Sequence, residues 1–284
     1  PSPSIVWFRD DLRLADHPAL RAALDRGEPV IGVYVLDEES DGIRPLGGAA
    51  RWWLHHSLAS LAERLADRGS RLILRRGPAH RVIREVAADA DAGAVFWNRR
   101  YGGPEREIDA ALKSDLREGD VEVASFAASL LFEPWTIATG AGKHFSVYSP
   151  FWRACLAQPA PRAPLPEPRE VPGPSRYPTS DDLDDWELLP TKPDWAQGLR
   201  DTWEPGEPAA QRRLKEFLEE DLGHYDDARD RPSAGATSLL SPRLRWGELS
   251  PHTVWHAAVE TPGASGFLSE IGWREFAWHT LYHF

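Results

Sequence analysis

Cysteine and long apolar runs are scarce in this chain of 284 residues. The single cysteine, Cys155, cannot form an intramolecular disulfide, which indicates a reducing compartment, and its simplest role is that of a small buried side chain. No apolar run approaches the length needed to span a bilayer, and the first residues lead into a strand pattern rather than a secretory signal. We therefore expect a cytoplasmic protein with no membrane segment.

Positive charge is also scarce, because 33 Lys and Arg stand against 44 Asp and Glu, a net charge of −11 at pH 7. This balance argues against indiscriminate binding to nucleic acid, although a local basic groove would still steer DNA. Most of the basic residues are arginines, which suit planar, bidentate contacts with phosphate better than lysines do. Genomic composition is an alternative explanation for this arginine bias.

Two common phosphate-binding motifs are missing. No G-x-G-x-x-G follows the first predicted strand, where Arg-Asp-Asp-Leu-Arg stands at 9–13. The Gly-Ala-Gly-Lys stretch at 140–143 resembles a phosphate loop, but Ile137 replaces the earlier glycine and His144 replaces the Ser or Thr after the lysine. The sequence therefore predicts neither a dinucleotide fingerprint nor a Walker loop.

Two pairs of histidines have a spacing that can hold zinc on a helix. His252 and His256 are four residues apart, as are His279 and His283. A threonine follows the first histidine of each pair, where the zinc-protease motif requires a glutamate. We therefore expect ordinary core or surface histidines and no metal site.

Strand and helix patterns alternate over the first 130 residues. Five short, almost continuously apolar runs predict strands, and helix-period segments lie between them. Repeated β-α units of this kind predict an α/β fold with a doubly wound, parallel, five-stranded sheet. The predicted strands are 4–8, 30–36, 71–75, 94–98 and 121–126, and the predicted helices lie near 18–26, 48–68, 80–90 and 104–118.

The composition changes between residues 158 and 193, where ten prolines fall in 36 residues. This predicts a long extended connector, partly polyproline II, laid across the protein with Trp186 and Trp195 as anchors. After about residue 206 the pattern is helical, and Ser241 and Ser250 each precede a proline, as capping residues do. We therefore expect domains at 1–130 and 206–284, joined by a connector at 131–205.

Two segments near the end of the sequence are the best candidates for chemistry. The Thr-Ser-Leu-Leu-Ser-Pro turn at 237–242 offers hydroxyls and, where a helix begins, unpaired N–H groups that attract phosphate. Glu270 and Trp273 would share a helix face, where an indole can stack on a base while a carboxylate bonds its polar edge. The alternatives are an ordinary helix cap in the turn and a surface ion pair between Glu270 and Arg274.

Five segments occur together in a recognisable order. They are Val-Trp-Phe-Arg-Asp-Asp-Leu-Arg-Leu at 6–14, Phe-Ser-Val-Tyr-Ser-Pro-Phe-Trp at 145–152, the turn at 237–242, Leu-Ser-Pro at 249–251 and Trp-Arg-Glu-Phe at 273–276. In this order they resemble the DNA photolyase/cryptochrome family, and within it the class I photolyases that act on cyclobutane pyrimidine dimers. The resemblance covers nearly the whole chain.

The resemblance implies an N-terminal α/β domain, a connector and an all-α domain that binds FAD. It implies a lyase in which reduced, light-excited flavin gives an electron to a pyrimidine dimer in UV-damaged DNA, whose cyclobutane ring then opens. Glu270 and Trp273 would be catalytic and face the flipped-out dimer, and Arg229 and Arg274 would also contact DNA. The residues that would contact FAD are Tyr225, Thr237, Ser238, Leu239, Leu240, Ser241, Phe267 and Arg274.

Three departures from the family pattern limit these expectations. The sequence stops before the rest of the family's helical domain, so we expect a fragment or a truncated form with a partial FAD-binding domain. His17 stands where the family commonly has Asn. Glu105 is a candidate antenna residue, but Pro104 stands where folate-binding members carry Asn, so methenyltetrahydrofolate and 8-hydroxydeazaflavin both stay open as antenna chromophores.

Two alternatives to a repair enzyme also stay open. One is a cryptochrome-type blue-light receptor without repair activity, and the other is an inactive remnant that does not bind FAD. The retention of both Glu270 and Trp273 favours the photolyase. We expect damaged DNA as the partner and a monomer as the working form.

Overall fold

The first part of the chain forms a five-stranded parallel sheet with helices on both faces. The computed structural model describes residues 2–284. The strands are β1 (Ser4–Phe8), β2 (Val30–Leu36), β3 (Leu72–Arg76), β4 (Ala94–Asn98) and β5 (Glu122–Phe126), and the helices are α1 (Pro18–Asp25), α2 (Gly48–Ala66), α3 (Ala79–Asp89) and α4 (Gly103–Glu118). The strand order is β3-β2-β1-β4-β5, and every pair is parallel.

Both faces of this sheet are covered, which explains why its strands are apolar throughout. Along β1, Val6 and Phe8 point into a core that includes α1 and α2, whereas Ile5 and Trp7 point into a second core with α3 and α4. The predicted doubly wound α/β fold is confirmed. Strands β1, β2 and β4 have the predicted bounds, while β3 and β5 each begin one residue later than predicted.

The proline-rich connector runs across the protein as predicted, bonded through its backbone. The backbone N–H of Val171 donates to Arg68, and that of Asp181 donates to Leu74. Trp186 is an anchor, because its ring is buried and its Nε1 donates to Asp181 at 3.1 Å. Trp195 covers the start of α2 at Gly48 but stays 48% exposed, so it anchors the connector less firmly than expected.

The rest of the chain is helical and has its own core. Its helices are α5 (Tyr148–Leu156), α6 (Gln197–Thr202), α7 (Glu207–Glu216), α8 (Tyr225–Ala228), α9 (Ser241–Arg245), α10 (Pro251–Ala258) and α11 (Ser265–His283), with a π-helical turn at Phe217–Asp221. Short 3₁₀ turns occur at Pro134–Thr136, Asp184–Trp186, Leu222–His224 and Pro232–Ala234. No helix within residues 2–284 combines the length and apolarity needed to cross a membrane.

One of the two predicted serine caps is correct. Ser250 caps α10, since its Oγ accepts the Thr253 N–H at 2.9 Å. Ser241 does not cap α9, because the Leu240 backbone is already helical and Ser241 is therefore the first helical residue. The helix start lies one residue earlier than the proline suggested, and this leaves the Ser241 hydroxyl free for another role.

The helical part is docked on the loop that follows β1, residues 9–17, which we call the first loop. Glu207 of α7 accepts the backbone N–H groups of Leu14 at 2.7 Å and Ala15 at 3.0 Å. Ser250 donates to the buried carboxylate of Asp16. Gly247 has a positive φ of 64°, and a side chain there would overlap the Asp10 backbone, so only glycine permits this approach.

Candidate functional site

A cavity of about 620 Å³ lies between the 237–242 turn, helix α11 and the loop after β4. This volume is within the range of cofactor and ligand pockets, roughly 300–1,000 Å³. The α/β domain contributes Asp10, Arg99, Arg100 and Tyr101 to the wall. All eight residues assigned to FAD by resemblance line this cavity, namely Tyr225, Thr237, Ser238, Leu239, Leu240, Ser241, Phe267 and Arg274.

The 237–242 turn is held in place by Arg213 of α7, which the sequence did not single out. Arg213 donates to the carbonyl oxygens of Ser238 at 3.0 Å and Thr237 at 3.3 Å, and it pairs with Asp221 at 2.6 Å. Leu239 takes a left-handed backbone with φ 57°, which a leucine rarely adopts. Strained backbone of this kind is concentrated at functional sites, where surrounding contacts maintain it.

Aromatic rings form one wall of the cavity. Phe267 of α11 lies 5.6 Å from Tyr225 and 4.7 Å from Phe217, measured between ring centroids. Burial raises the pKa of Tyr225, so this hydroxyl stays protonated at neutral pH. The Phe267 and Tyr225 rings meet edge to face, with planes 82° apart, and give the cavity an apolar and uncharged wall.

Polar groups of α11 lie beside this wall. Glu270 lines the cavity and accepts a hydrogen bond from Arg229 at 2.7 Å. Arg274 donates to the carbonyl oxygen of Ser129 at 2.8 Å. The alternative of a surface ion pair between Glu270 and Arg274 is therefore wrong, since each has a different partner. Arg229 and Glu270, which the resemblance both assigns to DNA, are bonded to each other in the structure.

Trp273 lies outside the lining of the cavity. It is one helical turn from Glu270, but its indole is 47% exposed and stacks on Tyr148 of α5, with ring centroids 3.7 Å apart and planes 12° apart. The expected common face of Glu270 and Trp273 is therefore divided, because Glu270 lines the cavity and the indole packs on Tyr148 outside the lining. Tyr148 was part of a sequence motif, but nothing in the sequence indicated this contact.

Glu275 is a buried carboxylate next to these residues. It accepts the backbone N–H groups of Leu131 at 2.9 Å and Phe132 at 3.2 Å, which fixes α11 to the segment after β5. Burial raises its pKa to about 7 from the usual 4.5. The tetrapeptide at 273–276 thus contains one structural acid near its exposed indole.

Comparison with known proteins places this chain in a family. A family model described as DNA photolyase matches residues 4–169, which is more than half of the chain. The chain belongs to the DNA photolyase family. The sequence-based resemblance to this family is confirmed.

Three relatives show how far the similarity extends. A deoxyribodipyrimidine photo-lyase of Agrobacterium fabrum is 47% identical over 100% of this chain and 60% of its own length. The crystal structure of a bacterial class III photolyase from Agrobacterium tumefaciens is 46% identical with a TM-score of 0.95, over 100% of this chain and 59% of that one. Cryptochrome-1 of Arabidopsis thaliana is 34% identical over 96% of this chain and 42% of its own length.

The chain spans about 60% of the length of the photolyases that it matches. The match includes the whole α/β domain, the connector and the helices that line the cavity. The expectation that the chain corresponds to part of the family's length agrees with these proportions.

Membership in the photolyase family implies FAD, and the cavity residues fit this group. The Thr237 and Ser241 hydroxyls line the cavity and make no hydrogen bond to any described residue. The Nε of Arg100 is buried with no partner within residues 2–284. Free hydroxyls and a guanidinium with an unpaired Nε suit phosphates, and the aromatic side chains of Tyr225 and Phe267 suit an apolar ring system.

A second cavity of about 300 Å³ lies at the carboxyl ends of β1 and β2, where α/β sheets commonly bind ligands. Glu105, the candidate antenna residue, lines it together with Tyr34 and Arg44. Asp10 and Arg100 border both cavities. The family implies a possible antenna chromophore, and its identity stays open between the folate and the deazaflavin.

The departure at His17 has a structural explanation. His17 precedes α1 and its Nδ1 accepts the Leu20 N–H at 3.1 Å, so it is the N-cap of this helix. Its Nε2 lies 3.0 Å from the buried carboxylate of Asp11. His17 therefore caps the helix, as Asn commonly does. Its second ring nitrogen contacts Asp11 of the first loop.

No cluster of three or more His, Cys, Asp or Glu within residues 2–284 has the geometry to hold a metal ion. His279 is buried and its Nε2 accepts the backbone N–H of Phe145 at 3.1 Å. Burial lowers the pKa of His279 to about 4. This histidine therefore acts as a neutral acceptor that joins α11 to the segment before α5.

Proposed function

We propose that this chain is the FAD-binding and lesion-facing part of a light-dependent deoxyribodipyrimidine photo-lyase that repairs cyclobutane pyrimidine dimers in UV-damaged DNA. One observation carries the proposal. Eight residues from three separate segments, assigned to FAD by position alone, all line the same cavity, and Glu270 lies at its edge. The proposal keeps the boundaries 1–130, 131–205 and 206–284, a monomeric form and a cytoplasmic location.

The subclass differs from the one expected from the sequence. The motifs resemble class I photolyases, but the solved relative with 46% identity and a TM-score of 0.95 is described as a class III photolyase. Because that match extends over the whole chain, we favour class III for this protein. The lesion, a cyclobutane dimer, is the same in both proposals.

Bound FAD would supply the electron that opens the cyclobutane ring after excitation by light. The protein would hold its flat ring against Tyr225 and Phe267, exclude water there, and bind its phosphates with the Thr237 and Ser241 hydroxyls. Arg274 would fix the position of the flavin from α11. The lining of the cavity and the family pattern support these roles.

Glu270 and Trp273 would recognise the extruded dimer. Arg229 donates to Glu270 in this structure, and a DNA phosphate that competes for Arg229 would free the carboxyl group to bond the polar edge of a base. Such a bond would stabilise the base as charge develops on it. Trp273 would stack on the dimer, an interaction worth roughly 1–3 kcal/mol per base. A dimer pairs poorly with its partner strand, so its extrusion is easier than that of an intact base.

The proposal is tested by substituting Glu270. The purified chain is incubated with FAD, its absorbance is read between 350 and 500 nm, and repair of an oligonucleotide with one thymine dimer is followed under blue light. We expect the variant E270A to lose repair by on the order of 10²-fold while it retains FAD, because one transition-state hydrogen bond is removed. A protein that stays colourless at high FAD concentration would overturn the proposal for this chain.

A photoreceptor without repair activity is the second candidate, favoured by the 34% identity to a cryptochrome. It predicts that the native chain binds FAD and responds to light but leaves the dimer intact. The same assay separates the two functions, because E270A can only reduce a repair activity that the native protein possesses.

A further inference from the structure

Tyr148 of α5 lies flat against the exposed indole of Trp273. The ring centroids are 3.7 Å apart and the planes differ by 12°, so the phenol covers one face of the indole. The indole is still 47% exposed, so its opposite face is open to solvent. A base can therefore stack on Trp273 from one side only.

The Tyr148 ring is itself fixed from both ends. Its backbone belongs to α5, while its hydroxyl donates to the Ser269 carbonyl oxygen of α11 at 2.7 Å and lies equally close to the Ser269 Oγ. Ser269 is one turn before Trp273 on the same helix. Trp152, one turn later on α5, lies nearly parallel to Tyr148, with centroids 6.5 Å apart and planes 13° apart. The ring on which the indole rests is therefore held by contacts with both α5 and α11.

Gly272 makes this arrangement possible. A Cβ at this position would lie 2.7 Å from the Trp152 ring and 2.8 Å from the Tyr148 hydroxyl, closer than side chains tolerate. Gly272 is in the interior of α11, where glycine is less favourable than alanine, and its φ is ordinary for a helix. The glycine is thus required for the close approach of the two rings and not for the backbone conformation.

We infer that Tyr148 is a positioning residue for base stacking, which holds the Trp273 indole in one orientation with a single open face. This inference rests on the proposed function, in which Trp273 stacks on the dimer. An indole that is already ordered loses less rotamer freedom when a ligand binds, and this preorganisation strengthens binding. Tyr148 acts through Trp273 and would not itself touch the base.

The orientation of the indole is measured first, without FAD or DNA. The protein is labelled with 5-fluorotryptophan, and the variant W273F identifies the Trp273 line in the ¹⁹F NMR spectrum. We expect Y148L to shift this line and to broaden it, because the indole loses its support. Y148F keeps the ring and should leave the line in place. The matched control is Y177L, the same substitution at a connector tyrosine that packs against Arg71. It should also leave the Trp273 line in place.

Binding is measured next, with FAD present, by fluorescence anisotropy of an oligonucleotide that carries one thymine dimer. We expect Y148L to weaken binding by about three- to tenfold, the range of a lost aromatic pair. Y148F should restore the native affinity and Y177L should retain it. All variants should bind the undamaged oligonucleotide as the native protein does.

The outcomes separate the inference from the proposed function. If Y148L changes neither the ¹⁹F line of Trp273 nor the affinity for the damaged oligonucleotide, the role of Tyr148 is overturned. If Y148L does not fold, G272A replaces it, because the added methyl group displaces Tyr148 and Trp152 while every ring is kept. An unmoved Trp273 line in G272A would then overturn the inference. If W273A binds the damaged oligonucleotide as tightly as the native protein, the proposed function fails, whatever the spectra show.

Discussion

Glu275 carries a proton in the folded protein at a pH where an exposed glutamate has lost it. Burial raises its pKa to about 7, above the 4.5 of an unfolded chain. Because the folded state binds this proton more tightly, the contribution to stability is complete below pH 4.5 and is lost as the pH rises through 7. Two backbone N–H groups still bond the carboxyl group on either side of this transition.

This predicts a different pH dependence for E275Q. Glutamine keeps an oxygen acceptor for Leu131 and Phe132 but has no proton to lose. Between pH 5 and pH 8, the free energy of unfolding of the native protein should fall relative to that of E275Q by on the order of 1–3 kcal/mol. Urea denaturation at both pH values measures this difference. If the free energies of unfolding of the two proteins change equally with pH, the raised pKa of Glu275 is contradicted.

At the scale of single elements, α1 depends on an unusual histidine cap. His17 accepts the Leu20 N–H through Nδ1 and contacts the buried Asp11 through Nε2. H17A should lower the free energy of unfolding by about 1–3 kcal/mol, since both a cap and a buried partner are lost. H17N, which restores the residue common in the family, should recover the capping part. Equal stability of H17A and the native protein in urea would exclude a capping role.

The 237–242 turn depends on Arg213 in the same way. Arg213 bonds the carbonyl oxygens of Thr237 and Ser238, whereas its neighbour Arg212 pairs with the exposed Glu204. R213A should weaken FAD binding by about tenfold, because the turn that presents the hydroxyls loses its support. R212A removes the same charge one residue away and is the matched control. The dissociation constant, from titration of flavin absorbance, should be unchanged in R212A.

The elements themselves were largely predictable, and the reason is local. Strands β1, β2 and β4 are apolar on both faces and end at turn residues, so their bounds follow from the sequence. Strand β3 was placed one residue early because Arg71 lies outside the sheet and Arg76 inside it. Arginines stand at both ends of this strand, at 71 and at 75–76, so the apolar pattern does not mark where it begins or ends.

The site was predictable only in part. Its lining residues were assigned because the 237–242 turn, Arg274 of the tetrapeptide at 273–276, and the positions of Tyr225 and Phe267 match a family pattern. The partners of these residues were not found, because they are distant in sequence. Glu270 pairs with Arg229, 41 residues away, and Trp273 rests on Tyr148 of another helix. Such pairs are decided by how helices pack, and no local pattern records them.

At the scale of the whole molecule, an acidic protein is proposed to bind DNA. With a net charge of −11, attraction must come from a local group of arginines that includes Arg229. Binding of damaged DNA should therefore weaken with salt, and R229Q should reduce the slope of log K against log salt by about 1. R21Q removes an arginine paired with Asp25 on α1 and should leave the slope unchanged. A slope that R229Q does not alter would remove Arg229 from the DNA contact.

The docking of the first loop has a consequence during synthesis on the ribosome. All five strands have been translated once Phe126 is added. Glu207, which accepts hydrogen bonds from the first loop, and Ser250, which donates one to it, follow much later. At ~5–20 residues/s, the nascent sheet waits on the order of ten seconds with polar backbone exposed at the edge where its helical partner will sit. During that interval we expect the emerging chain to bind chaperones, and slow translation through the proline-rich stretch would lengthen the exposure.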